Sequence, residues 1–109
     1  MQPTPPPDSL TTNRRWEQVW DRIWQQKGWL WRGVAIARDR YNDLGKRLLT
    51  RYLEPGDRLL ELGCGTSQLT LSLAPQLKDL VGLDISDEAL RLARAHQAKL
   101  GVTNATFVK

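Results

Sequence analysis

A short apolar run that ends in two closely spaced glycines constrains this chain more than any other feature. Residues 58–62 read RLLEL, and glycines follow at 63 and 65. Glycine lacks a Cβ atom, so at these positions the backbone can bend sharply and approach a ligand closely. A helical pattern follows, and then a second apolar run that ends in Asp84. Strand, turn, helix and strand in this order predict a β-α-β unit with parallel strands and a ligand at the turn.

Two carboxylates narrow the class of ligand that this turn can hold. A dinucleotide motif needs a third glycine or alanine where this chain has Gln68, and a phosphate-binding Gly-x-x-x-x-Gly-Lys-Ser/Thr run is absent. Glu61, at the end of the first strand, would repel a phosphate but would suit a cation. Asp84 lies where an acidic side chain can accept hydrogen bonds from two ribose hydroxyls. The pair therefore favours a positively charged head joined to a ribose.

The second half of the chain resembles the class I (Rossmann-like) S-adenosylmethionine-dependent methyltransferases. The resemblance rests on three runs, which are LEPGD at 53–57, LLELGCGT at 59–66 and VGLDIS at 81–86. It implies an enzyme that transfers a methyl group from S-adenosylmethionine to an acceptor that the sequence does not identify. It names no catalytic residue and no metal ligand in this part of the chain.

The resemblance also implies roles for individual residues in cofactor binding. Glu61 would hold the amino group of the methionine portion, directly or through water. Asp84 would bind the ribose, and Ile85 would pack against the adenine. Gly63 and Gly65 would shape the loop under the methionine portion. The full set of expected cofactor-binding residues is Glu61, Gly63, Cys64, Gly65, Asp84 and Ile85.

Two residues of the glycine turn need separate comment. Ser67 stands where the family often has glycine, and we expect its side chain to cap the helix that begins there. Cys64 is the single cysteine of the chain, so it forms no internal disulfide or cysteine cluster. We interpret it as a small filler, because no histidine lies near it in sequence to activate it as a nucleophile.

The predicted fold class is α/β, a three-layer Rossmann-like parallel sheet in strand order third-second-first, preceded by two helices. Two right-handed crossovers in one direction place both connecting helices on the same face of the sheet. Yet the strands at 58–62 and 80–84 are nearly continuous apolar runs, a pattern typical of strands buried on both faces. We therefore expect the N-terminal portion of a longer methyltransferase. We expect this chain alone to expose one sheet face and the first-strand edge, and to bind the cofactor weakly or not at all.

The first half of the chain divides into two predicted segments ahead of the domain at 54–109. Residues 1–11 form a proline-rich tail that we expect to be disordered, and residues 12–53 form a tryptophan-rich helical segment with helices near 13–27 and 33–53. All five tryptophans of the chain lie within the first 31 residues. They can cover the core, form a lid or wall of the substrate pocket, or make an interfacial membrane or partner helix.

Composition limits the partners of this 109-residue chain. The net charge of +4 comes from basic residues interspersed with acidic ones, so there is no strong nucleic-acid signal. No apolar run is long enough for a transmembrane segment, and no secretory signal is visible, so we expect a cytoplasmic protein. The expected partners are the small-molecule cofactor and a second or complementing chain at the exposed sheet edge. A non-catalytic interaction module is the alternative, and a nicotinamide-dependent oxidoreductase is disfavoured by Glu61 and Gln68.

Overall fold

A computed structural model describes residues 9–26 and 40–109 of the chain. The proline-rich tail, Trp29, Trp31 and the first part of the second predicted helix lie outside these ranges. The elements in chain order are α1 (Ser9–Gln25), the helical residues 40–49 (α2), β1 (Arg58–Leu62), α3 (Gln68–Leu73), a 3-10 turn (Ala74–Gln76), β2 (Asp79–Leu83), α4 (Asp87–Leu100) and β3 (Ala105–Val108). None of the described helices is long and apolar enough to cross a membrane.

The three strands form one parallel sheet. Their order is β1-β2-β3, which is the predicted third-second-first order read from the other edge. Leu59 lies opposite Leu80, and Leu80 lies opposite Ala105, so neighbouring strands are in close register. The α/β class and the strand order are thus confirmed.

The hydrophobic core lies on one face of this sheet, which we call the covered face. Alternate strand residues point into it, since side chains along a strand alternate between faces. Leucines of α3 and α4 pack against these strand residues. The core cluster consists of Cys64, Leu71, Leu73, Leu77, Leu80, Leu90, Ala93 and Phe107, with Leu49, Leu53, Leu59, Val102 and Ala105 packed against it. Both crossover helices therefore contribute to the same face, as the handedness rule requires.

The opposite face, which we call the open face, carries the other strand residues: Leu60, Leu62, Val81, Leu83 and Val108. Leu60 is 59% exposed and Leu62 is 73% exposed. The exposed sheet face expected from the apolar strand pattern is present in the structure.

Helix α4 is bounded by a serine N-cap and a C-terminal glycine. The Ser86 hydroxyl accepts a hydrogen bond from the backbone N–H of Ala89 at 3.1 Å, which caps the helix N-terminus. Asp87 and Glu88 lie in the first turn, where their charge complements the helix dipole. Gly101 ends the helix in the left-handed conformation, with φ of 67°.

Helix α1 packs against α4, a contact that no local sequence pattern predicts. Asp21 accepts hydrogen bonds from the Ser86 hydroxyl at 2.5 Å and from the backbone N–H of Glu88 at 3.2 Å. Lys109 bridges the two helices through Glu17 at 2.5 Å and Asp87 at 2.7 Å. The helix begins at Ser9, ahead of the segment boundary expected at residue 12. Its docking places its tryptophans beside the end of the sheet.

Candidate functional site

The glycine turn after β1 adopts a conformation that only glycine takes up without strain. Gly63 has φ of 68° and Gly65 has φ of 54°, both in the left-handed region. The turn is fixed to the end of β2 by two contacts. Cys64 N–H donates to the Leu83 carbonyl at 2.9 Å, and Gly65 N–H donates to Asp84 Oδ2 at 2.8 Å. The sequence-predicted turn and the acid at the end of β2 thus form one unit.

Asp84 holds this unit together with both of its carboxylate oxygens. Its Oδ2 accepts from Gly65 and its Oδ1 accepts from the Ser86 N–H at 2.9 Å. A carboxylate offers about four acceptor positions, so about two remain for a ligand. Sequence reasoning placed Asp84 at the ribose but did not foresee that it also shapes the glycine turn.

The prediction for Ser67 is wrong in its detail. Ser67 occupies the N-cap position of α3, but its side chain makes no capping hydrogen bond, and its φ of 54° is left-handed. Its hydroxyl instead donates to Glu61 Oε2 at 3.1 Å. The cause is the left-handed backbone, since an N-cap residue usually has extended geometry that aims its side chain at the helix. A non-glycine residue in this conformation costs about 1–2 kcal/mol, which the contact with Glu61 partly offsets.

Glu61 is partly buried below the turn. Besides Ser67, its Oε2 accepts a short hydrogen bond from the Thr70 hydroxyl. Burial raises the pKa of Glu61 above its ordinary value; the hydrogen bonds from Thr70 and Ser67 lower it, and the charge of Asp84 raises it. A partly desolvated carboxylate with a second carboxylate nearby is electrostatically suited to a cation.

Cys64 is a core residue. Its side chain is buried, and a Cβ atom added at Gly82 would lie 2.9 Å from its sulfur. Burial, followed by the charges of Asp84 and Glu61, raises the pKa of the thiol to about 11. The group is therefore a neutral thiol near pH 7, and thiols rather than thiolates are poor nucleophiles. These properties fit the small-filler interpretation.

A cavity of about 450 Å³ opens above the turn. It is lined by Trp20, Trp24, Gly63, Gly65, Leu83, Asp84 and Ile85. The structure thus brings together four of the six predicted site residues and adds two tryptophans from α1. Glu61 and Cys64 are not among the lining residues. Within residues 9–26 and 40–109, no cluster of three or more acidic, histidine or cysteine side chains could hold a metal ion.

The tryptophans of α1 were the part of this site that the sequence left open. Trp24 lies directly on the turn, because a Cβ atom at Gly65 would lie 2.9 Å from its Cζ2. Trp16 is 54% exposed and Trp20 is 43% exposed, so neither is a core residue. The geometry favours the pocket-wall interpretation for Trp20 and Trp24. Their i,i+4 spacing was the signal that they share a helix face.

A family model described as "Methyltransferase domain" matches residues 53–109, which is more than half of the chain. This chain belongs to that family. The match begins at the LEPGD run and includes the glycine turn, Asp84 and all three strands. With the fold, it places this domain in the class I group, whose cofactor is S-adenosylmethionine.

Two curated relatives and one solved structure illustrate the range of this family. The 23S rRNA (uracil(1939)-C(5))-methyltransferase RlmD of Photobacterium angustum is 42% identical over 55 residues, 50% of this chain and 25% of its own length. The ubiquinone biosynthesis O-methyltransferase of Paraburkholderia phymatum is 44% identical over 48 residues, 44% of this chain and 21% of its own. A Geobacter sulfurreducens S-adenosylmethionine-dependent methyltransferase in complex with S-adenosyl-L-homocysteine shares 28% identity and a TM-score of 0.53, over 62% of this chain and 27% of its own.

The matched segment therefore spans only about a fifth to a quarter of the curated relatives. Their names cite a uracil of 23S rRNA in one case and ubiquinone biosynthesis in the other. The shared segment thus corresponds to what such enzymes have in common, while acceptor recognition differs among them.

Proposed function

We propose that the methyltransferase chain binds S-adenosylmethionine in the cavity above the glycine turn, as the cofactor-binding half of a methyl-transfer site. One observation carries this proposal: Asp84 closes the glycine turn and still faces a cavity of about 450 Å³. The residues fit the cofactor, since the left-handed glycines leave a Cβ-free approach and the carboxylate offers acceptors to a diol.

The remaining acceptor positions of Asp84 would hold the two ribose hydroxyls. The carboxylate is already oriented by Gly65 and Ser86, so little side-chain freedom is lost when the ligand binds. Ile85 lines the same cavity and would contact the adenine. Leu83 would extend this apolar contact.

Glu61 would attract the methionine amino group from below the turn. Its side chain is not among the lining residues, so we propose contact through water or after a small side-chain movement. Its raised pKa supports the role, because a neighbouring ammonium relieves the cost of a desolvated carboxylate.

Methyl transfer itself requires mainly alignment of the acceptor, the methyl group and the sulfur, because the sulfonium is already a good leaving group. The residues described here bind and orient the cofactor. They do not identify the acceptor, for which O, N, C and S nucleophiles are all compatible.

Calorimetry with S-adenosylhomocysteine and with NAD tests the proposal. We expect the chain to bind the former and not the latter, and Asp84→Asn to weaken binding by removing one carboxylate oxygen. Asp79→Asn, at the other end of β2 beside Arg58, is the matched control and should bind as wild type does. Equal affinity for NAD, or no loss in Asp84→Asn, would contradict the proposal.

The open face supports a second candidate function, a module that pairs with another copy of the chain. Leu60 and Leu62 of β1 and Val108 of β3 are exposed on this face, with Leu83 of β2 between Leu62 and Val108. Exposed apolar patches are common at protein interfaces. Light scattering across a concentration series discriminates the two candidates when read beside the calorimetry. A stable dimer without ligand binding would favour the module over the cofactor site.

A further inference from the structure

Two tryptophans of α1 line the same cavity as Asp84. Trp20 and Trp24 both line it, whereas Trp16, one turn earlier on the same helix, does not. Trp24 is closest to the turn, with three ring atoms between 2.9 and 3.9 Å from the position of a Cβ at Gly65. The edge of the Trp24 ring therefore lies beside the turn on which a ligand would be bound.

The two tryptophan rings are candidates for contact with the part of the ligand that Asp84 does not bind. Of the lining residues within 9–26 and 40–109, Asp84 alone has an ionisable side chain, and the proposed function uses it for the ribose. The sulfonium of S-adenosylmethionine carries a fixed positive charge that neither glycine can bind. Tryptophan is the best aromatic partner for such a cation, since the face of its ring is electronegative.

We infer that Trp24, with Trp20 beside it, recognises the positive charge of the sulfonium and makes the chain prefer S-adenosylmethionine to S-adenosylhomocysteine. The inference rests on the proposed function and extends it to a specificity-determining residue. The two ligands differ in the methyl group and its charge, so an aromatic wall that senses the charge discriminates between them. Such discrimination favours release of the demethylated product.

Trp20 and Trp24 are held in place by the contact between α1 and α4. Asp21, between Trp20 and Trp24 in sequence, accepts from the Ser86 hydroxyl and from the Glu88 N–H at the start of α4. Ser86 also follows Asp84 and Ile85 in the cavity wall by one or two residues. Asp21 is thus a positioning residue that links the tryptophan face of α1 to the ribose side of the cavity.

The test is a pair of titrations of the whole chain, with S-adenosylmethionine and with S-adenosylhomocysteine, followed by NMR of backbone amides and indole N–H groups. We expect the wild-type chain to bind S-adenosylmethionine more tightly than S-adenosylhomocysteine. Trp24→Leu should reduce that preference by about threefold to about thirtyfold, in line with the strength of cation–π contacts. Trp24→Phe should retain part of the preference, because phenylalanine keeps a weaker aromatic face.

Trp16→Leu is the matched control, since it removes the same side chain from the same helix outside the cavity. It should leave the ratio of the two affinities unchanged. Asp21→Asn should reduce the ratio without removing any ring. The Trp24 indole N–H should shift more with the charged ligand than with the neutral one.

Three results would overturn the inference while leaving the proposed function intact. One is an equal loss of affinity for both ligands in Trp24→Leu, which would indicate stacking on a shared portion. The second is tighter binding in Trp24→Leu, which would show that the ring occludes the cavity. The third is an unchanged ratio in Trp24→Leu and Trp24→Phe, with thermal unfolding showing both variants folded. If wild type binds neither ligand, the proposed function and this inference fail together.

Discussion

At the residue scale, the site depends on carboxylates that serve structure and ligand at once. Asp84 closes the turn through Gly65 and Ser86 while it faces the cavity. Glu61 accepts hydroxyl hydrogen bonds from α3 while it lies below the same turn. Both groups are therefore oriented before a ligand arrives, which lowers the entropy lost on binding.

The raised pKa of Glu61 predicts that the stability of the chain depends on pH. Its pKa is raised in the folded chain, chiefly by burial, so the folded state keeps this proton to higher pH than the unfolded state. Stability from this group is therefore greatest at low pH and falls as pH rises from the ordinary value of 4.5 through the folded pKa. In Glu61→Gln this fall should be absent.

Urea unfolding at a series of pH values measures the effect as the difference between wild type and variant. Glu54→Gln, at an exposed position, is the control and should track wild type. A wild-type stability that rises relative to Glu61→Gln over this pH range would contradict the assigned cause.

Gly82 predicts a steric effect in the core. A Cβ atom there would lie 2.8 Å from Phe107 Cδ1 and 2.9 Å from the Cys64 sulfur. Gly82→Ala should therefore destabilise the chain by about 1–3 kcal/mol, the usual cost of overpacking. Denaturant unfolding measures it, and adding Phe107→Leu should restore part of the loss because the ring no longer opposes the methyl group. Full stability in Gly82→Ala alone would count against the packing described.

At the element scale, the N-terminus of α4 is where the two halves of the chain meet. The Ser86 hydroxyl accepts from Ala89 within its own helix and donates to Asp21 of α1. One side chain thus caps α4 and holds the helix that carries Trp20 and Trp24. Loss of this hydroxyl affects both contacts.

Ser86→Ala should lower the free energy of unfolding by about 1 kcal/mol for the cap, within a range of about 0.5–2 kcal/mol. Asp21→Asn should cost less, and the double variant should cost less than the sum, because both substitutions weaken the same hydrogen bond. Thermal or denaturant unfolding of the three variants gives the coupling. Ser72→Ala changes an exposed serine in α3 and is the control; its free energy of unfolding should stay within about 0.5 kcal/mol of wild type. Strict additivity of Ser86→Ala and Asp21→Asn would refute the shared contact.

These elements also show what the sequence could predict. The apolar runs and the glycine placement predicted β1 and β2 to within a residue, because those signals are local. Four of six site residues reach the cavity because parallel strands end at one edge. The Asp21–Ser86 contact joins residues 65 positions apart, and Ser67 became left-handed through the geometry of the turn. Neither has a periodic or compositional signature, so both required the folded structure.

At the scale of the whole molecule, the described residues cover only one face of the sheet with a hydrophobic core. The covered face holds the core, while Leu60 and Leu62 on the open face remain more than half exposed. Exposed apolar residues of this kind lower the solubility of a chain or promote its association with another protein surface. The behaviour of the chain in solution should therefore depend on these two leucines.

Replacing both leucines, as Leu60→Thr with Leu62→Thr, should reduce self-association while keeping the strand, since threonine also favours β structure. Light scattering should show a wild-type mass that grows with concentration and a double variant that stays monomeric. Tyr52→Ser removes a comparably exposed apolar side chain away from the sheet and should behave as wild type does. Unaltered association in the double variant would place the contact elsewhere.

We propose above that the glycine turn and Asp84 bind S-adenosylmethionine. An NMR titration of the labelled chain with S-adenosylhomocysteine tests it most directly, because chemical shifts report even weak binding residue by residue. We predict that the shifts concentrate at Gly63, Gly65, Asp84 and Ile85 and at the Trp24 indole N–H, and that NAD produces none of them. No shifts at millimolar ligand, or shifts scattered away from the turn, would contradict the claim.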